Sequence, residues 1–371
     1  MQDSKESLRK DSLDTLRFPL AVVVVIVHVF SSNNINGYQF VDSSSFESIN
    51  TFVLAFLKGV SVPIYFFISG YVFFITKSGN FNLSIYRNKI INRIKTLFIP
   101  YIIWNGIAVF LELVKFFPPF ANLLDNTIEN NITFKNILSA FWMYGGNLTK
   151  NTPDFSVYPI NHALWFIRDL MIVVICSPLV YYCLRITKVI GMLILCVLYI
   201  YAPYSNFAYL PQLATAFFFF SLGGYLSIFH FDLVTICKKF LRISLIIYLI
   251  NSTLFYIISP TNFYGADILK TINTFVCIPL AFGTTSMLLE RKIIKSNTFL
   301  SSASFFIYIS HCLIVRKIKI LLFMLTNPSS EYEVILIYLL AIVSTIGLLL
   351  LSFAIMRKYT PYLLGFIAAR K

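Results

Sequence analysis

Charge is scarce in this sequence. Asp, Glu, Lys and Arg make up 12% of its 371 residues, against about 25% in an ordinary soluble domain. That shortage excludes a typical water-soluble enzyme and a disordered chain. Histidine is scarcer still, with four copies and no pair at metal-ligand spacing. The six cysteines (Cys176, Cys183, Cys196, Cys237, Cys277 and Cys312) include no CxxC. They sit in or beside apolar tracts, so they read as small membrane-helix residues and not as metal ligands or a disulfide frame. No glycine-rich dinucleotide loop and no P-loop is present. The first apolar run lacks a small-residue cleavage site, so the N-terminus is read as part of the mature protein. No internal repeat of the kind many transporters carry is visible.

What is abundant is apolar surface. Hydrophobic residues are 58% of the chain and the mean hydropathy is +0.77. The apolar tracts approach the about 20 residues a membrane helix needs, well beyond the alternating strands of about 10 residues in a barrel. Ten such spans can be drawn, near 16–31, 50–75, 97–117, 161–184, 189–204, 210–229, 243–259, 269–289, 298–318 and 333–356. The expected fold is an all-α polytopic membrane bundle of about ten helices, one integral-membrane domain over 1–371 with no separate soluble domain. The net charge of +14 has a topological reading. Most Lys and Arg fall in segments 5–17, 77–95, 185–188, 238–242, 291–295 and 357–371, which places both termini in the cytoplasm and removes the need for a nucleic-acid partner. Arg316, Lys317 and Lys319 break the pattern, so span nine either lets them snorkel or bends into an interfacial helix. The polar connection 118–160 ends in NILSAFWMYGG, a short surface helix or a plain loop.

Ionisable groups within membrane spans are costly and mark functional candidates. Arg17 and His28 lie eleven residues apart on RFPLAVVVVIVH, with Pro19 read as part of the helix's first turn. Eleven residues return to within about 20° of one helix face and rise roughly 16 Å. Arg17 then sits near the cytoplasmic surface and His28 in the outer half, where an imidazole suits proton transfer. His162, Arg168 and Asp169 in HALWFIRDL, and His311 in FFIYISH, are expected at a similar depth. His230 reads as an interfacial residue. Arg87, Lys89, Arg93 and Lys95 form a basic loop before FIPYIIW, suited to phosphate. In PIYFFISGY, the step Ser69–Gly70 permits close helix packing.

These motifs, in this order, resemble the integral-membrane acyltransferase-three family. LDTLRFPLAVVVVIVH resembles its first helix with Arg-x10-His, VPIYFFISGYVFF its second-helix motif, and RNKIINRIKTLFIPY its basic segment. HALWFIRDLMIVVICSPL, FFFFSLGGYL and FIYISH resemble later landmarks, and the resemblance covers about 12–320. It implies an O-acyltransferase moving an acyl group, usually acetyl, from cytoplasmic acetyl-CoA to a hydroxyl of a surface polysaccharide or lipid-linked glycan in a bacterial inner membrane. On that reading His28 is the general base, with transient acylation of His28 as the alternative. Arg168, Asp169 or His311 orient it or stabilise an oxyanion. Arg17, Arg87, Lys89, Arg93 and Lys95 face the coenzyme, and Ser69, His162 and Trp165 the acceptor; no metal is expected. A competing class is a transporter or flippase of a lipid-linked glycan, which needs no coenzyme site. Lys58 finds no account in the sequence.

Overall fold

The computed structural model describes residues 2–31, 44–76, 81–115, 133–144, 157–259 and 266–368. Among them every regular element is helical. In chain order these are α1 (Gln2–Ser31), α2 (Ser44–Leu57), α3 (Ser61–Phe74), α4 (Leu83–Arg93), α5 (Ile99–Val114), α6 (Phe134–Ala140), α7 (Trp165–Ile175) and α8 (Ser177–Thr187). They continue with α9 (Val189–Tyr201), α10 (Leu210–Ile228), α11 (Leu233–Ile258), α12 (Ala266–Glu290), α13 (Thr298–Thr326), α14 (Glu331–Tyr359) and α15 (Pro361–Ile367). All ten expected spans fall on helices. Six helical stretches are long and apolar enough to cross a bilayer: Lys5–Ser31, Ser45–Phe74, Leu83–Val114, Ile268–Glu290, Thr298–Thr326 and Glu331–Tyr359. The chain is thus a multi-pass membrane protein by length and composition. A seventh crossing is available if α7 and α8 are one span. They are bent by 62°, because Pro178 at the start of α8 removes an N–H and crowds the preceding turn. Span four is therefore a broken helix and not the straight one the sequence suggested.

Three further readings change. α1 starts at Gln2, not near residue 16, so Pro19 lies well inside the helix. The polar first half is helical because charges pair one turn apart, Glu6 with Arg9 at 3.2 Å and Asp14 with Arg17 at 3.0 Å. Second, α13 runs unbroken to Thr326, so span nine does not bend at Arg316–Lys319. Arg316 and Lys317 face outward while Lys319, one turn from buried Val315, is 1% exposed. Third, Arg87, Lys89, Arg93 and Lys95 are not on a loop. They lie on α4 and the π-helical turn Ile94–Phe98 that joins it to α5, with the Asn82 side chain accepting from Ile85 N at 2.9 Å to start the helix. The stretch 134–140 is the short helix α6. The remainder of 118–132 and 145–156, and the basic residues Lys77, Lys150, Arg370 and Lys371, lie outside the described residues. Lys58 gains an explanation. It is exposed at the break between α2 and α3, where Gly59 adopts φ +87°.

The chain divides into two compact units. The first comprises Met1–Gly79 and Phe219–Ala354. Here α1 packs on α12 and α13, and α11 pairs with α12. Ser61 Oγ donates to the Leu20 carbonyl at 3.1 Å and Tyr65 Oη to the Arg17 carbonyl at 2.8 Å, fastening α3 to α1. Phe66, Phe67, Phe73, Phe219, Phe220, Phe282 and Phe353 fill its interior. Backbone meets backbone at two glycines, since a Cβ on Gly70 would stand 1.9 Å from the Phe220 carbonyl oxygen and one on Gly223 2.0 Å from that of Phe67. This is the close approach the Ser–Gly step suggested.

The second unit comprises Asn80–Phe218 and Ile355–Lys371. Trp104 Nε1 donates to the Ile367 carbonyl at 2.9 Å, docking α15 on α5, and Tyr86 Oη donates to the Ile175 carbonyl at 3.0 Å at the end of α7. α6 packs through Ala140 and Ile137 against Val109 and Leu113 of α5, and Tyr101 Oη donates to the Phe141 carbonyl just beyond it.

Two stability predictions follow from this packing. Gly70→Ala and Gly223→Ala each push a methyl into a carbonyl oxygen that cannot move alone, so each should lose at least the about 1–3 kcal/mol of ordinary overpacking. An unchanged thermal midpoint in detergent would refute the close approach. Asp232 caps α11, accepting from Thr235 N at 3.2 Å, Thr235 Oγ1 at 2.8 Å and Lys5 Nζ at 3.2 Å. Burial pushes its carboxyl up, but those hydrogen bonds outweigh it and hold the group below its ordinary value. The contribution is complete above the unfolded value of about 3.9 and fades as pH falls through the depressed one. Asp232→Ala should cost about 1 kcal/mol at neutral pH, a gap that narrows in acid in paired thermal melts.

Candidate active site

Within the first unit, α1 and α13 bring His28 and His311, two of the three histidines of the expected outer-half group, together. Their ring centroids are 4.8 Å apart and the planes cross at 78°. His28 Nδ1 lies 2.8 Å from the Val24 carbonyl, and His311 Nδ1 lies 2.7 Å from that of Tyr308 and 3.2 Å from that of Ile307. A carbonyl oxygen only accepts, so Nδ1 carries the hydrogen in both rings. In each neutral ring the lone pair is then on Nε2, turned away from its own helix. His311 is fully buried and His28 half-buried.

The third member of this group was missed in the sequence. Cys312 Sγ lies 3.4 Å from His311 Nε2. One donor atom from each of His28, His311 and Cys312 lies within 4.8 Å of the other two. Such a set is of the kind a soft divalent cation accepts, and backbone-anchored imidazoles are typical of such ligands. The one local signal at Cys312 is the preceding His311, since His28 reaches it from another helix.

Between Arg17 and His28 the face of α1 is bordered by tyrosines. Tyr65 lies at the Arg17 carbonyl, its ring centroid is 5.8 Å from that of Tyr308, and Tyr308 is 6.1 Å from His311. The Arg17 side chain is 41% exposed and pairs with Asp14. Beyond the histidines, Lys319 Nζ donates to the Val29 carbonyl at 3.1 Å and to Tyr338 Oη at 3.2 Å, with its ammonium 4.3 Å from the Tyr338 ring centre. Ser69 is half-buried on α3.

Arg168, Asp169, His162 and Trp165 belong to the second unit. Arg168 and Asp169 are both 0% exposed, and Arg168 Nε donates to Asp169 Oδ1 at 2.8 Å. Arg168 Nη1 donates to the carbonyls of Trp142 at 2.6 Å and Val157 at 2.8 Å, and Tyr209 Oη donates to Asp169 Oδ1. The guanidinium lies 5.4 Å from the Trp142 ring centre and 4.5 Å from that of Tyr209. This pair ties α6, the segment before α7, and the start of α10 together. Arg168 Nη2 and Asp169 Oδ2 are buried with no partner among the described residues. His162 is exposed on the 3-10 turn His162–Leu164 and stacks on Tyr158 at 4.0 Å, with Trp165 edge-on to Tyr158 at 6.2 Å. Tyr158 and Tyr209 had no sequence signal, since aromatic residues fill every span. Of the basic stretch on α4, Arg87 and Lys95 are exposed and Lys89 and Arg93 half-buried. His230 is exposed past the end of α10 at φ 54°.

The histidine of α1 and the histidine of α13 thus face one another. A family described as an acyltransferase domain matches residues 10–357, nearly the whole chain. The chain belongs to the acyltransferase-three family. No curated protein and no solved structure matches it.

The role of the Arg168–Asp169 pair in the acyltransferase can be separated from that of the histidines. Arg168→Met strands a buried carboxylate and should cost about 3–5 kcal/mol, whereas Arg168→Met with Asp169→Leu should recover most of that loss. Thermal melts of the three proteins decide it. A double variant as unstable as the single one would mean that the pair does not act as a self-contained structural unit.

Proposed function

We propose that this acyltransferase moves an acetyl group from cytoplasmic acetyl-CoA to a hydroxyl of a surface polysaccharide or of its lipid-linked precursor. The supporting observation is the His28–His311 pair, on a chain whose family match runs from 10 to 357. In this reading the protein sits in a bacterial inner membrane with ten crossings and both termini in the cytoplasm. The charge distribution along the sequence supports that orientation.

α1 is one helix from Arg17 to His28, so eleven residues place the two about 16 Å apart along its axis. That is the order of the pantetheine arm. Arg17 takes the coenzyme's charged side, releasing Asp14 to do so, and the tyrosine-lined face leads inward. Arg87, Lys89, Arg93 and Lys95 are separate phosphate-binding candidates in the other unit. His28 Nε2 removes the proton of the acceptor hydroxyl as it attacks the acyl carbon. His28 can deliver that proton to the departing thiolate, so no group ends with an unbalanced charge. His311, when protonated, donates from Nε2 to the developing oxyanion. Ser69 is the acceptor-contact candidate of the first unit; within the second, His162 and Trp165 are separate candidates, and Arg168 and Asp169 hold its helices together.

The test is label transfer from radiolabelled acetyl-CoA to a native lipid and glycan extract by the purified protein. His28→Ala should lower transfer about 10²–10⁴-fold, as expected for a lost general base. Arg17→Ala should chiefly raise the KM for acetyl-CoA. Well-folded wild type that neither binds acetyl-CoA nor transfers label would overturn the proposal and favour transport of a lipid-linked glycan. Full activity in His28→Ala would overturn the assigned base.

A further inference from the structure

We propose that Cys312 is the acyl-carrying nucleophile of this site, so that the acetyl group rests on its sulfur between donor and acceptor. The inference builds on the acyl-CoA reading above and replaces direct transfer with two steps. Three observations carry it. Cys312 Sγ lies 3.4 Å from His311 Nε2, and a ring nitrogen of His28 lies within 4.8 Å of it. Both rings are anchored through Nδ1 to helix carbonyls, so in each neutral ring Nε2 is the basic nitrogen, and in His311 it is Nε2 that lies against the sulfur. Cys312 is also half-buried, whereas His311 is fully buried. A thiol held against a base is the arrangement that activates a cysteine nucleophile. Sulfur also exchanges with a thioester at little change in bond energy, since one thioester replaces another.

The steps balance. His28 Nε2 takes the Cys312 proton, and Sγ attacks the carbonyl carbon of the acyl thioester. The new Sγ–C bond forms, the C–S bond to coenzyme A breaks, and the leaving thiolate receives the proton from His28. Coenzyme A then departs. In the second step the acceptor oxygen attacks the acyl carbon as His28 Nε2 takes the hydroxyl proton. The O–C bond forms, the C–Sγ bond breaks, and the proton returns to Sγ. Nothing is oxidised or reduced.

Because the first step needs no acceptor, it can be tested with acetyl-CoA and labelled coenzyme A alone. Purified full-length protein should catalyse isotope exchange between the two and carry acetyl label on a Cys312 peptide that neutral hydroxylamine removes. Cys312→Ala should lower exchange and glycan transfer at least 100-fold while its thermal midpoint stays near wild type, and Cys196→Ala should leave both intact. If Cys312→Ala misfolds, alkylation of wild-type Cys312 slowed by acetyl-CoA supplies the same answer. Wild type that acetylates glycan without exchange or label overturns the cysteine step and leaves the acyltransferase reading standing. Exchange retained in Cys312→Ala but lost in His28→Ala moves the acyl group to histidine and overturns it too. Wild type that shows neither exchange nor transfer overturns both.

Discussion

Hydrocarbon offers no hydrogen bonds, so every polar atom carried into the membrane must find its partner inside the protein. Much of this structure can be read as answers to that constraint. The imidazoles of His28 and His311 each give their Nδ1 hydrogen to a carbonyl of their own helix. Tyr65 and Ser61 give theirs to carbonyls of α1. Lys319, buried on α13, gives its ammonium hydrogens to Val29 and Tyr338. The consequence for function is positional. Satisfying Nδ1 locally puts the lone pair of each neutral ring on Nε2, on both rings at once.

The same constraint explains why the two polar centres differ. Arg168 and Asp169 have no exposed surface, and their bonds reach Trp142, Val157 and Tyr209. Arg168 can hold several backbone segments because its guanidinium presents five donors in a fixed fork. Removing one member of such a pair is far worse than removing both, which is the mark of a clamp. The histidine centre is smaller and more open, with a thiol beside it and a half-buried His28.

Some expectations were written plainly in the residues. The positions of the spans, the Arg17–His28 spacing, the close packing at Gly70 and the family membership all depend on local pattern, and local pattern is what a sequence displays. The boundaries of α1 were not legible, because its polar first half is helical through i,i+3 ion pairs and not through an apolar run. The course of α13 past Arg316 was also hidden. Alternate burial of Val315 and Lys319 against exposed Arg316 and Lys317 lets a basic stretch remain in one straight helix. The basic residues of α4 looked like a loop because charge is so often outside helices in such chains.

Cys312 shows the limit most clearly. In the sequence it is one of six cysteines in apolar surroundings, set apart only by following His311 directly. Only the packing of α1 on α13 turns it into a thiol flanked by two imidazoles. Composition and motif order determined by themselves that this is a helical membrane acyltransferase, since hydropathy and local spacing belong to single helices. Which side chains share a reaction centre depends on contacts between helices far apart in the chain, and those were decided by the tertiary structure alone.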